Sequence, residues 1–293
     1  FFAYVAFTAP HDPRDPPPGY RECYHEKKLP LPPNFLPQHP WNIDQRTLTL
    51  RDERLAGWPR EPDVVRDQLA EYYGMISHLD AQIGRVLAAL DRTGLAENTV
   101  VVFSADHGLA IGSHGLLGKQ NLYEHSMGCP LLFKGPGIPA GESSSAMTYL
   151  LDLYPTFCEI ARAEVPGSAE GKSLMPILRG EQDRVRDSLF TLYRDNQRAV
   201  RDARYKLIRF TRINKSLLFD LREDADDLHN LAGDPAHAER LARMMRLLES
   251  WQKRSGDTQP LHTDEPLPLR VDLSGRPRKP DRHQPAWIRA KYF

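Results

Sequence analysis

The chain has 293 residues, with 39 basic and 39 acidic side chains, net charge zero, and three cysteines. Such a length buries a substantial core, while balanced charge gives no argument for nucleic acid or an anionic membrane surface. No apolar run is long enough to span a bilayer, and Cys23, Cys129 and Cys158 are too scattered for a disulfide framework or a zinc knuckle.

Phe1 to Phe7 is apolar and aromatic, lacks the basic flank of a signal segment, and reads as a buried strand. A chain that opens in a strand without Met reads as a piece of something longer. Residues 12–62 are rich in proline and polar groups with little periodicity; so long an excursion is functional or else disordered. From Val64 to about Leu90 the apolar residues Leu69, Tyr72, Ile76, Leu79, Ile83, Val86 and Leu90 follow the helical period. Gly94 is placed to terminate that helix.

Thr99-Val-Val-Val-Phe103 does not alternate with polar residues, which predicts a strand buried on both faces, as in a parallel sheet. Strands 1–7 and 99–104 with the helix between them would make a right-handed βαβ unit. Leu131 to Phe133 is a shorter strand closed by Gly135-Pro-Gly-Ile-Pro139, and Tyr149 to Ala161 is a helix packed on the sheet. Past Asp187 the pattern changes. Segments 188–193, 198–201, 205–210 and 217–219 alternate between polar turns and predict a small antiparallel sheet. A helix follows from Pro235 to Lys253, with Leu241, Met244, Met245, Leu248 and Trp251 on its apolar side. The proline-rich tail from Gly256 is expected to be extended or disordered.

Ligands of open parallel sheets bind beyond the carboxyl ends of the strands, where Asp106 and His107 fall. Both could hold one ion if Gly108 lets the chain turn; otherwise Asp-His-Gly is an ordinary turn. A hard cation takes about six oxygens, so further ligands would come from elsewhere. Lys119 follows Asp106 by thirteen residues, with Gly108, Gly112, Gly115 and Gly118 between them. Those glycines could fold the backbone round a small anion that Lys119 neutralises, although a solvated lysine is the plainer reading. His114 and His125 fit zinc ligands or ordinary polar contacts. His11, between Pro10 and Pro13, would reach the same sheet edge and bind an anion or protonate a leaving group. His78 and Asp80 read as a buried polar contact within the long helix, and Asn214-Lys-Ser216 as a chance glycosylation triplet.

Several segments together resemble the type I sulfatases of the alkaline-phosphatase superfamily, in particular iduronate-2-sulfatase and bacterial polysaccharide sulfatases. They are Ala6-Phe-Thr-Ala-Pro-His11, Tyr72-Tyr-Gly-Met-Ile-Ser-His-Leu-Asp80, Val102-Phe-Ser-Ala-Asp-His-Gly108, Gly115-Leu-Leu-Gly-Lys119 and Gly135-Pro-Gly137. Arg201-Asp-Ala-Arg-Tyr-Lys206 and Leu218-Phe-Asp220 resemble that family's C-terminal subdomain. The resemblance implies an α/β/α sandwich of alkaline-phosphatase type lacking its N-terminal part, followed by a small antiparallel subdomain. Residues 1–186 would complete the catalytic domain and 187–293 form the subdomain.

It further implies sulfate-ester hydrolysis, with Asp106 and His107 as ligands of a Ca²⁺ ion. His11 and Lys119 become catalytic contacts to the substrate sulfate. The family's formylglycine arises from a Cys/Ser-x-Pro/Ala-x-Arg motif that this chain does not contain. That group and the remaining metal ligands would precede Phe1, so the chain alone is expected to be inactive. The expected substrate is a small-molecule or oligosaccharide sulfate ester, with Trp41, Tyr193, Arg194 and Arg201 as candidates to shape the alcohol pocket. Family habit implies a periplasmic or secreted location. Two alternatives are a metal-dependent phosphodiesterase or phosphomutase of the same superfamily, with zinc on His107 and His114, and a non-catalytic anion-binding homologue.

Overall fold

A computed structural model of the chain describes residues 1–24, 29–273 and 286–293. Its best-packed element is the C-terminal sheet. Strands β3 (Leu189–Tyr193), β4 (Gln197–Arg201), β5 (Tyr205–Phe210) and β6 (Lys215–Asp220) form an antiparallel meander in that spatial order. The sequence predicts these strands because alternate residues must face opposite ways. Val200, Leu207 and Leu218 lie in register and pack with Met244 and Leu248 on one face. Ala199, Ile208 and Leu217 take the next positions and pack on the other face with Ile43, Trp58, Leu116 and Tyr123. Both faces are therefore covered, and Leu207 and Ile208 are each fully buried.

One cover is the helix Ala238–Ser255, whose Met244 and Leu248 have no exposed surface. It ends where Gly256 adopts φ 70°, a left-handed conformation that glycine enters without penalty. The other cover is the irregular excursion. Its described residues bury Ile43, Leu48, Leu55 and Trp58, and the helical pieces among them are a short α-helix (Gln45–Leu48) and a 3₁₀ turn (Asp52–Leu55).

The long amphipathic helix runs from Pro62 to Arg92, with proline in its first turn and Gly94 at φ 70° just beyond its end. Its N-terminal half is buried through Val65, Leu69 and Ala70; towards the C-terminus Ile76 and Val86 are 38% and 48% exposed. Asp80 is exposed rather than in a buried pair with His78, whose ring meets that of Tyr20 at 5.0 Å. Among the described residues no helix is long and apolar enough to cross a membrane.

The expected parallel βαβ unit is not present among the described residues. Phe1 to Phe7 form no strand, and Phe1, Phe2 and Tyr4 are 87%, 75% and 85% exposed. Strand β1 (Val101–Ser104) pairs antiparallel with β2 (Leu131–Lys134), and Phe103 is exposed, so this run is not buried on both faces. An apolar run shows that a segment can be buried; ladder direction is set by which partner returns beside it. Here that partner is β2. Helix Leu153–Ala161 follows, and its Phe157 ring lies 5.9 Å from that of Phe2.

Residues 257–273 of the tail are extended, as expected, yet pinned, whereas Ala286–Tyr292 is helical rather than extended. Arg198 holds Asp257 at 2.7 Å, Leu267 N–H donates to Arg212 C=O, Asn42 N–H donates to Leu269 C=O, and Leu273 is fully buried. The closing helix Ala286–Tyr292 docks on the long helix, where Lys291 reaches Glu71 at 2.7 Å and the Tyr292 hydroxyl donates to Asp67 and Glu71.

Truncating Leu207 or Leu218 to alanine removes a side chain that the sheet cannot collapse around. Denaturant titration should show a loss of about 2–5 kcal/mol, against about 0.5 kcal/mol or less for Val86→Ala on the open half of the long helix.

Candidate active site

His11 and Lys119, 108 residues apart, are in contact: Lys119 Nζ lies 3.0 Å from His11 Nε2. The imidazole is oriented from its other side, where Nδ1 lies 2.8 Å from the backbone oxygen of Asp12. A carbonyl oxygen can only accept, so Nδ1 carries the proton and Nε2 presents its lone pair to the cation. Arg51 also approaches Nε2, at 3.4 Å, and is held by Asp12 at 3.2 Å and Asp52 at 3.0 Å. Asp52 in turn accepts from Gln120 at 2.8 Å and lies 3.7 Å from Lys119. Burial pushes the Asp52 carboxyl up, but the Gln120 hydrogen bond, Lys119 and Arg51 together hold it below the usual carboxylate range. The buried carboxylates thus grip the cations from behind, while His11 keeps about a third of its side-chain surface open. Arg51 comes from the irregular excursion and lies in no motif, so nothing in the sequence marks it.

The position of Lys119 depends on a second, fully buried pair. Glu53 accepts from Arg60 at 2.6 Å and from the backbone N–H groups of Leu117 and Gly118 at 3.0 and 2.8 Å. Side chains of Glu53 and Arg60 are 4% and 0% exposed, and the guanidinium stacks 4.4 Å from the Trp58 ring centroid. Desolvation pushes the Glu53 carboxyl up; Arg60 and the two N–H groups oppose it. The glycine-rich segment therefore does fold round an anion, but the anion is this chain's own carboxylate. Its glycines serve close approach: a Cβ on Gly115 would lie 2.3 Å from the Gln38 backbone, and one on Gly118 2.9 Å from Asp52 Cβ.

Asp106 and His107 follow the end of β1. The chain turns at Gly108, where a Cβ would strike the His125 carbonyl at 2.0 Å and whose N–H donates to Ser126 C=O. The turn brings Asp106 Oδ2 within 3.4 Å of His107 Nε2, while His107 Nδ1 is occupied by Gly108 C=O at 3.0 Å. The Asp106 carboxylate is 85% exposed. A carboxylate oxygen and an imidazole nitrogen thus stand side by side, fitting part of a coordination set. Among the described residues no group of three or more histidine, cysteine or acidic side chains is close enough to complete it. No hydrogen bond or ion pair joins this pair to His11 or Lys119 among the described residues. The connection is through the backbone, where Ala110 N–H donates to Gly118 C=O and folds the intervening segment back on itself.

His114 and His125 belong to a buried cluster the sequence did not signal. His114 stacks 3.9 Å from Tyr123, whose hydroxyl lies 3.0 Å from His39 Nε2, and its own Nε2 lies 3.2 Å from Asn34 Nδ2. Both ring nitrogens of His125 are buried without a hydrogen-bond partner among the described residues. Burial pushes His39 down to about 4 and His114 to about 3, so both are neutral near pH 7. Beside them Lys206 bridges Asp227 and Glu124 at 2.9 and 3.0 Å, and Glu124 also takes Arg201. Arg201 is thereby committed to an ion pair. Tyr193 carries the Arg194 guanidinium 5.5 Å from its ring centroid. The Asn214 amide, in its triplet, donates to Thr263 C=O and anchors the tail.

Two outcomes follow. Glu53→Gln should cost about 3–5 kcal/mol by denaturant titration, because Arg60 is left buried without a counter-charge. His39 and His114 titrate near 6.5 when unfolded and lower when folded, so their contribution is present above pH 6.5 and lost as pH falls towards 4. The His39 contribution is on the order of 3 kcal/mol, read as a falling denaturation midpoint over that window.

A family model described as Sulfatase matches residues 1–163, and a model of the N-sulphoglucosamine sulphohydrolase C-terminal region matches residues 112–254. The multifunctional alkaline phosphatase superfamily protein PehA of Trinickia caryophylli is 30% identical over 88% of this chain and 56% of its own length. The N-acetylglucosamine-6-O-sulfatase of Bacteroides thetaiotaomicron is 30% identical over 72% of this chain and 39% of its own. The structure is similar to that of the phosphonate monoester hydrolase of Agrobacterium radiobacter, with TM-score 0.73 and 25% identity over 93% of this chain and 61% of that one. The chain spans about half the length of the curated relatives it matches. The α/β fold is that of the alkaline-phosphatase superfamily, and the chain belongs to the sulfatase family.

Proposed function

We propose that the complete protein hydrolyses sulfate esters of a carbohydrate, and that this chain supplies the part of the site that binds the sulfate and protonates the leaving alcohol. The observation that carries the reading is the contact of His11 Nε2 with Lys119 Nζ at 3.0 Å. Lys119 has three N–H donors, of which His11 occupies one and Asp52 draws another, so a donor remains for a sulfate oxygen. His11 has its Nδ1 proton fixed on Asp12 C=O, so Nε2 is the nitrogen that exchanges protons: its lone pair must first take up a proton there, from Lys119 Nζ or from water, before it can pass one to a departing alkoxide. Arg51, beside the same nitrogen, adds positive charge where negative charge grows as the S–O bond breaks. Asp106 and His107 would hold Ca²⁺ together with ligands from outside this chain. Such an ion would draw charge off the sulfate oxygens when bound. The nucleophile, a formylglycine on this reading, also lies outside, and the 293-residue chain by itself releases no sulfate. The similarity to a protein named N-acetylglucosamine-6-O-sulfatase supports a sulfated sugar as substrate; a periplasmic or secreted location is proposed from the family resemblance alone.

A second reading, hydrolysis of phosphate or phosphonate monoesters, is favoured by the structural likeness to a phosphonate monoester hydrolase. Sulfate and phosphate release by the complete protein, assayed side by side on matched sugar esters, separates the two. Lys119→Ala and His11→Ala should each lower kcat/KM for the sulfate ester by about 10²- to 10⁴-fold. Asp106→Asn with His107→Ala should abolish any activation by added calcium. Undiminished turnover in Lys119→Ala would sink the assignment.

A further inference from the structure

Gln120 follows Lys119 directly, and its side chain reaches the buried carboxylate of Asp52. Its Nε2 donates to Asp52 Oδ2 at 2.8 Å, and its Oε1 accepts from the backbone N–H of Lys119 at 3.2 Å. A carboxylate only accepts and a backbone N–H only donates, so no other orientation of the amide satisfies both partners. Gln120 is held in turn from the C-terminal sheet, where Gln197 Nε2 on β4 donates to its backbone C=O at 3.3 Å. Gln197 has no exposed surface. Room for the amide comes from Gly118, since a Cβ there would lie 2.5 Å from Gln120 Oε1.

The two oxygens of Asp52 have different partners. Oδ1 accepts from Arg51 Nε at 3.2 Å and from a terminal guanidinium nitrogen at 3.0 Å. Oδ2 has two claimants: the Gln120 amide at 2.8 Å and the Lys119 ammonium at 3.7 Å, beyond hydrogen-bond length. The Asp52 side chain is 7% exposed, so little water can take the place of either. Burial raises the Asp52 carboxyl, and among the groups that oppose this the Gln120 hydrogen bond is the strongest. Without the amide, a buried carboxylate oxygen would be short of a donor. The nearest replacement is Lys119, whose full charge is attracted more strongly than an amide dipole where water is scarce. Closing to a charge-assisted hydrogen bond of about 2.8 Å would move the ammonium by about 1 Å.

From this competition we infer that Gln120 is a positioning residue: by occupying Asp52 Oδ2 it keeps Lys119 poised between His11 and the carboxylate, with an N–H free for a substrate oxygen. It acts through Asp52 and Lys119 and touches no reacting atom. The inference rests on the anion-binding role proposed for Lys119. Through Gln197 it makes the C-terminal sheet a contributor to the placement of that lysine.

The test uses the complete protein carrying Gln120→Met, which keeps the side-chain length and removes the amide, alone and combined with Asp52→Asn. One readout needs no turnover: the rate at which acetic anhydride acylates Lys119, followed by peptide mass spectrometry. Drawn onto the carboxylate, the amine in Gln120→Met should react about threefold to tenfold more slowly than in the unaltered protein. Adding Asp52→Asn should abolish that slowing, since the competing anion is gone. In parallel, Gln120→Met should lower kcat/KM for the sulfate ester by about 10- to 10²-fold. In the Asp52→Asn background the same change should cost less than about twofold. Thermal melts establish that the variants are folded; Gln120→Asn, one methylene shorter, replaces Gln120→Met if that protein melts early. Undiminished acylation of Lys119 in the folded variant, or equal losses of kcat/KM in both backgrounds, overturns the assignment. A residue that merely supports the loop is indifferent to the charge on Asp52. Absence of sulfate release by the unaltered protein would overturn the sulfatase reading and leave the acylation rates to decide the role of Gln120.

Discussion

Glu53 and Arg60 form an ion pair with almost no contact with water, and the loop that delivers Lys119 is built on it. A buried charge pair by itself is a poor source of stability, since desolvation offsets most of the attraction. Here the carboxylate has two further partners, the N–H groups of Leu117 and Gly118, which fix the backbone immediately before Lys119. Arg60 is held on its other side by the carbonyls of Ala56 and Gly57 and by the Trp58 ring. The pair thus converts an irregular stretch of chain into a rigid support. Without it, neither Lys119 nor the adjoining Asp52 would have a defined place beside His11.

That support is itself sandwiched. The C-terminal sheet covers it from beneath through Ala199, Ile208 and Leu217, and the helix Ala238–Ser255 seals the sheet's far side. The pinned tail then crosses the edge and ties Asn42 and Gln38 in place. The C-terminal region is therefore part of the site's foundation. Buried histidines at this junction are kept neutral by desolvation, and Tyr123 stacks among them rather than facing substrate. The same enclosure that makes the junction rigid makes it sensitive to acid.

Where the sequence was legible, its signal was local. The four short strands at the C-terminus and both long helices could be read because alternation and the 3.6-residue period follow from backbone geometry within each segment. His11 and Lys119 could be nominated because each sits in a recognisable motif, and Gly108 could be expected to turn the chain. Arg51, Glu53 and Arg60 could not be nominated. They lie in a proline-rich stretch without period, and their importance comes from partners far along the chain. The antiparallel pairing of Val101–Ser104 with Leu131–Lys134 is not legible for the same reason, since a strand's own residues do not encode the direction of its neighbour.

By itself, then, the amino-acid order determined which segments can be helix or strand, and which short motifs place this chain in its family. Tertiary structure alone decided that the glycine-rich segment closes on Glu53 rather than on a free anion, that Arg51 joins His11, and that Trp41 gathers Arg270 and Lys215 over its ring. Periodicity is a property of neighbouring residues, whereas burial and electrostatic matching arise only when distant segments exclude water between them.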